Sequence, residues 1–245
     1  MDIHRAWLIA KKDLSILRKR KSLLALLFAL PLVLSMGLPL LLDYLIIKKS
    51  IPTAMVINLL GAFDFLFIII SALVPLYISS YSIIGEKTEK SLEPLLATPA
   101  MDKEILLGKN IGIFIPVILI IILGELIFMG FTDILTFGAV GYLFYPNLNF
   151  AIILLLASPL ACLYGVNFGV LTSSRSSNVQ TAYQMGVVSL IPFFVLYVMG
   201  EIGIVSLNTN SNILIISAIL LIVVIALFYI SAATFSRESI LLRWK

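Results

Sequence analysis

Histidine and cysteine are nearly absent from this chain: His4 and Cys162 are the single examples. One cysteine excludes an intrachain disulfide and any cysteine-built metal centre. A Ser–His hydrolase working inside a membrane needs a histidine within a span, and His4 precedes every long apolar run. The His-Glu-x-x-His pattern of one class of zinc protease does not occur, so no metal ligand is assigned. Nor does Gly-x-x-x-x-Gly-Lys-(Ser/Thr), the loop that cradles nucleotide phosphates. No catalytic residue is assigned either. No run of interleaved basic and aromatic residues points to nucleic acid. Charge is scarce as well, at 12% of residues against about 25% in soluble domains.

What fills the chain is oil. Of 245 residues 61% are hydrophobic, and mean hydropathy is +1.12. The expected fold class is an all-α integral membrane protein, with six transmembrane helices preceded by an N-terminal interfacial amphipathic helix. A helix needs about 20 apolar residues to cross hydrocarbon. Six segments qualify, at 22–42, 58–84, 111–131, 151–172, 181–200 and 213–233, with 1–21 as the interfacial helix and 85–110 as a loop. The whole chain, 1–245, reads as a single transmembrane domain. The second segment is long and is expected to tilt or to overrun the bilayer.

Lysine and arginine are divided unevenly between alternate connections, fifteen on one side and two on the other. Seven precede the first span, four lie in 85–110, one is Arg175 and three close the chain. The positive-inside rule therefore predicts a multi-pass protein with both termini and the 85–110 loop in the cytoplasm. The expected location is the plasma membrane of a prokaryote. The basic start is too long, and the first apolar run too close to span length, for a cleaved signal peptide.

Ahead of the first span, Ile3, Ala6, Trp7, Ala10, Leu14 and Leu17 recur at steps of three and four, one face of a helix. Arg5, Lys11, Lys12, Asp13, Ser15, Arg18 and Lys19 fill much of the remainder, while Leu8, Ile9 and Ile16 blur the pattern. Such a helix suits the lipid–water boundary, with Trp7 on the apolar side and Arg18, Lys19 and Arg20 among anionic head groups. The plainer alternative is a topology signal.

One compact polar block interrupts the oil: Gly85–Pro99, "GEKTEKSLEPLLATP". Glu86 and Lys90 stand at i,i+4 in the favourable order. Ser91 suits an N-cap, and Pro94 is tolerated in the first turn after it. Leu92, Leu95 and Leu96 then share a side, Pro99 stops the run, and Asp102 is placed to cap the helix that feeds the third span. The block reads as a short amphipathic helix with an apolar knob and a charged rim. It fits either a docking element or an ordinary charged loop.

At these residues the sequence resembles the permease subunits of ABC transporters of the second exporter type. Their loop between spans two and three commonly reads Glu-(Lys/Arg)-x-x-(Gly/Lys)-(Thr/Ser)-Leu-Glu-x-Leu-Leu-x-(Thr/Ser)-Pro. Here Glu86, Leu92, Glu93, Leu95, Leu96, Thr98 and Pro99 fit, Ser91 stands where Thr is frequent, and Lys90 replaces a common small residue. "SSRSSNVQTAYQ" is similar to the family's second cytoplasmic loop and "FSRESILLRWK" to its C-terminal tail. The resemblance implies a coupling helix that contacts a separate ABC ATP-binding subunit, with Glu86, Glu89, Leu92, Glu93, Leu95 and Leu96 as the contact. It implies a second permease copy, an expected homodimer, and a path between the two. No cofactor is expected in this chain, ATP and magnesium belonging to the partner ATPase. The alternative is a self-contained, ion-coupled secondary transporter, which places ionisable residues near the midplane.

Two acids interrupt apolar segments. Asp64 is expected near the outer interface. Glu125 lies in the outer half of the third span, as a pathway or cation-binding group, or else hydrogen-bonded within the bundle or snorkelling outward. Pro31, Pro39, Pro75, Pro116, Pro159 and Pro192 fall in spans, where neighbours re-satisfy the freed carbonyls. Cys162 reads as a small core residue. Gly61, Gly112, Gly165 and Gly169 permit close packing, and Gly165-x-x-x-Gly169 has the spacing of a dimer motif without assigning one.

Overall fold

The structure, a computed structural model, describes residues 3–49, 53–88 and 101–234. Ten α-helices and one π turn account for nearly all of these residues, and no strand occurs among them. They are α1 (Ile3–Lys19), α2 (Lys21–Lys49), α3 (Thr53–Ser80), α4 (Ile84–Thr88) and α5 (Asp102–Val140). Then come α6 (Leu148–Ile152), the π turn (Ile153–Ala157), α7 (Ser158–Arg175), α8 (Val179–Ser189), α9 (Ile191–Glu201) and α10 (Asn210–Thr234). Six stretches are long and apolar enough to cross a membrane: α2, α3 running into α4, α5, α6 through α7, α8 with α9, and α10.

α3 is the hub. Its apolar window is 83% buried inside the protein, against 22–33% for α2, for α8 with α9 and for α10, whose outer faces expose Val33, Val188, Ile222 and Tyr229. In lipid, apolar contact gives little net drive to helix association, so close packing around small residues has to hold the bundle. Gly165 and Gly169 do this between α7 and α3. A methyl group at Gly165 would meet the Ala72 carbonyl oxygen and Pro75, and one at Gly169 the Leu76 carbonyl oxygen at 2.8 Å. The Gly165-x-x-x-Gly169 spacing is thus spent inside the chain. A second pair, Gly108 and Gly112 of α5, seats α1. Added methyls there would lie 2.6 Å from the Ala6 carbonyl oxygen and 3.0 Å from that of Ala10.

The sequence underestimates α5. At 1.5 Å per residue its 39 residues span about 58 Å, far more than the ~30 Å of hydrocarbon. It runs on through Thr132–Val140, where the apolar run has ended, and stops at Gly141, which adopts φ 80° as a left-handed cap. Its start also differs. Met101 takes the N-cap position, its N–H donating to the Glu104 carboxylate at 2.9 Å, and Asp102 falls in the first turn. Pro159 has no N–H for the carbonyl four residues earlier, and the chain just before it winds as a π turn, with the Ser158 N–H on the Ile153 carbonyl. Pro192 follows the break between α8 and α9, where the Tyr164 hydroxyl donates to the Ser189 carbonyl at 2.9 Å.

α1 divides its apolar residues between two faces. Ala6, Ile9, Ala10 and Leu17 are buried against the protein, whereas Trp7 (52% exposed), Leu8 and Leu14 face outward beside the basic arc of Arg5, Lys11, Arg18 and Lys19. The periodic stripe is therefore two adjacent stripes, and Ile9, which blurred it, belongs to the core.

Candidate functional site

The break between α1 and α2, the end of α3, α4, the start of α5 and the end of α7 come together at one end of the bundle. There the polar block begins. After α3 the chain turns through Tyr81–Ile83 into α4, and Ser173 of α7 fastens that turn. Its hydroxyl donates to the Ser80 carbonyl at 2.8 Å and accepts from the N–H groups of Ile83 at 3.1 Å and Ile84 at 3.3 Å. Nothing in the sequence signals this beyond the serine-rich character of the loop after α7. Arg20, at the break between α1 and α2, is half-buried with its guanidinium 4.1 Å from the centre of the Tyr81 ring.

α4 delivers Glu86 inward, where its carboxylate is shared by two lysines. Lys12 of α1 is 2.9 Å from Oε1, and Lys109 of α5 is 2.8 Å from Oε2. The Lys109 ammonium also donates to the Ser82 carbonyl at 3.1 Å and lies 3.6 Å from Asp13. Lys109 is 1% exposed and Glu86 5%. Two cations and two anions thus join α1, α4 and α5 in a neutral cluster. Burial holds Asp13 above its ordinary value of 3.8, the nearby Lys109 ammonium opposing this and Glu86 adding to it. Beside the cluster a small cavity of about 50 Å³ is lined by Asp13, Arg20, Tyr81, Glu86 and Gly112, among others.

Of the other residues singled out in the block, Glu89, Leu92, Glu93, Leu95 and Leu96 lie outside the described residues, as does the C-terminal "FSRESILLRWK". Trp7, Arg18 and Lys19 are exposed on α1.

The second polar region lies deeper, towards the opposite end. Glu125 is fully buried and accepts a hydrogen bond from Ser158, the first residue after the π turn; its second oxygen has no hydrogen-bond partner. It does not snorkel. Asp64, expected near an interface, is 1% exposed and accepts from the Tyr145 hydroxyl at 2.6 Å. Tyr145 is held there by an aromatic cluster with Phe128 and Phe150, at ring-centre distances of 5.8 and 4.8 Å. Asp133 accepts from the N–H groups of Phe144 and Tyr145 and so fixes the loop that carries the tyrosine. Back beside Lys109, Asn110 donates to Asn167 at 2.8 Å, an amide bridge between α5 and α7 for which the sequence carries no signal.

Among the described residues no group of three or more His, Cys, Asp or Glu side chains could hold a metal ion. No curated protein matched the chain. A family model described as "ABC-2 family transporter protein" matches residues 7–236, from α1 past the end of α10. With six membrane-capable helices and that match over nearly its whole length, the chain belongs to the ABC-2 family of transporter proteins, as the membrane-spanning permease component of an ABC transporter.

Proposed function

We propose that this permease is one half of an ATP-driven exporter, pairing with a second copy of itself and with two separate ATP-binding subunits that carry the nucleotide and magnesium. The basic end faces the cytoplasm, α1 lies along the lipid boundary through Trp7 and Leu14, and Arg18 and Lys19 reach the head groups. The block Gly85–Pro99 is the coupling element, with Glu89, Leu92, Glu93, Leu95 and Leu96 towards the ATPase.

The observation that carries this reading is the anchoring of that block. Its first turn is held by Glu86 between Lys12 and Lys109, and by Ser173 from behind. A segment held in this way passes displacement on to α1 and α5, whereas a loose loop absorbs it. In this reading Glu86 is the root of the coupling element. Glu125, buried with Ser158 beside the π turn, is a polar point on the transport path.

The test is gentle purification of the tagged chain with its partners. The L95D variant is expected to insert normally and to lose its stoichiometric ATPase subunit. Intact association would overturn the coupling role of the block. One observation favours a second reading, the ion-coupled carrier: Asp64 and Glu125 are buried carboxylates on which no basic group of the described residues acts. A wild-type preparation free of any ATPase would shift the weight to it.

A further inference from the structure

Asp64 does not merely sit in the fold. It forms part of the wall of a cavity of about 310 Å³ at the end of the bundle opposite the basic cluster. Asn147, Asn149, Asn208 and Asn210 line the same cavity. Its volume equals about ten waters at ~30 Å³ each, and Asn208 is exposed at its mouth, so the cavity reaches the surface.

The oxygen chemistry in it is one-sided. Tyr145 holds one carboxylate oxygen of Asp64, and no basic group of the described residues balances the charge. Asn149 is 4% exposed; its amide nitrogen donates to the Leu207 carbonyl at 3.2 Å, which fixes the flip of the side chain. Its carbonyl oxygen is left buried with no hydrogen-bond partner. An unpaired buried carbonyl and an unbalanced carboxylate are both costly by themselves. Both residues line this cavity, so a positively charged guest in it meets the carboxylate and the amide together.

We propose that this cavity is a binding site for a small monovalent cation, an alkali ion or a primary ammonium, held by Asp64 and the carbonyl oxygen of Asn149 and reached past Asn208. One carboxylate matches one positive charge, and amide and carboxylate oxygens are hard ligands suited to such ions. The site does not depend on what drives transport, so it stands or falls separately from the ATPase-coupled reading.

The experiment is saturation binding of radioactive sodium to the purified full-length chain, in a buffer at pH 8 whose only other cation is N-methylglucamine. The wild type is expected to bind about one sodium per chain. D64N keeps an acceptor for Tyr145 and is expected to bind at least tenfold more weakly, with an unchanged elution volume. N149L is expected to weaken binding in the same direction. E201Q, at the neighbouring cavity lined by Gly200 and Glu201, is expected to bind as the wild type does. Displacement of the sodium by potassium assigns the site to alkali ions; displacement by methylammonium assigns it to an ammonium head group; both support the proposal. Absence of saturable binding in the wild type, equal binding by D64N, or calcium binding a hundredfold tighter than sodium would overturn it.

Discussion

Replacing Lys109 by methionine should be the most damaging single change at the basic end. Its ammonium lies 2.8 Å from Glu86, 3.6 Å from Asp13 and 3.1 Å from the Ser82 carbonyl, at 1% exposure. At an effective dielectric of about 20, Coulomb's law gives roughly 6 kcal/mol for charges 2.8 Å apart and roughly 5 kcal/mol at 3.6 Å. Desolvation of three buried charges cancels much of that. What remains on deleting one partner is about 3–5 kcal/mol, because Glu86 and Asp13, at 6% and 13% side-chain exposure, lose the buried cation they share. An exposed pair would be worth about 1 kcal/mol or less. The assay is unfolding in mixed micelles by graded SDS, on wild type, K109M, E86Q and the double variant. The double variant should recover much of the loss, giving a coupling energy of about 2–3 kcal/mol, since removing both members of a buried pair costs far less than removing one. A K109M penalty below about 1 kcal/mol, or strict additivity of the two changes, would refute the cluster as a buried lock.

Asp13 gives a pH test of the same cluster. Its carboxyl is raised by burial, so between the unfolded and folded values the native chain holds more protons than the unfolded one. Native stability should therefore fall as pH rises from about 4 through the folded value and then level off. Thermal midpoints of D13N should lack that slope, and a wild type that gains stability over D13N with rising pH would contradict the assignment. Gly165 tests the packing of α7 on α3. G165V should sharply reduce the monodisperse folded fraction on size exclusion, while G37V, where the added carbon meets nothing within 4 Å, should not. A folded G165V chain that has merely lost its partner copy would return this glycine to a dimer interface.

The spans were legible because length and apolarity suffice to define them. The direction each helix faces was not. Trp7 and Ala6 are neighbours in one apolar stripe on paper, yet one faces outward and the other is sealed against Gly108, because glycines a hundred residues away choose the seat. Glu125 announced itself as a lone carboxylate in an apolar run. The burial of Asp64 is not legible, since nothing local foretells that Tyr145 returns from the loop after α5 to cover it. Glu86 was noticed for its place in a motif, but its partners Lys12 and Lys109 looked like ordinary topology charges. Sequence separations of 74 and 23 residues hide such a pairing from any periodicity.

Those two lysines are thereby read twice. On the proposed topology, a nascent chain threading into a bilayer presents Lys12 and Lys109 among the charges that orient the first and third spans. Once the helices assemble, Glu86 and Asp13 withdraw both from that role and Lys109 vanishes from the surface. Orientation and rigidity draw on the same side chains at successive times. Because two cations pair there with two anions, the assembled basic end keeps the net charge of the nascent one but shows fewer free ammonium groups to its surroundings.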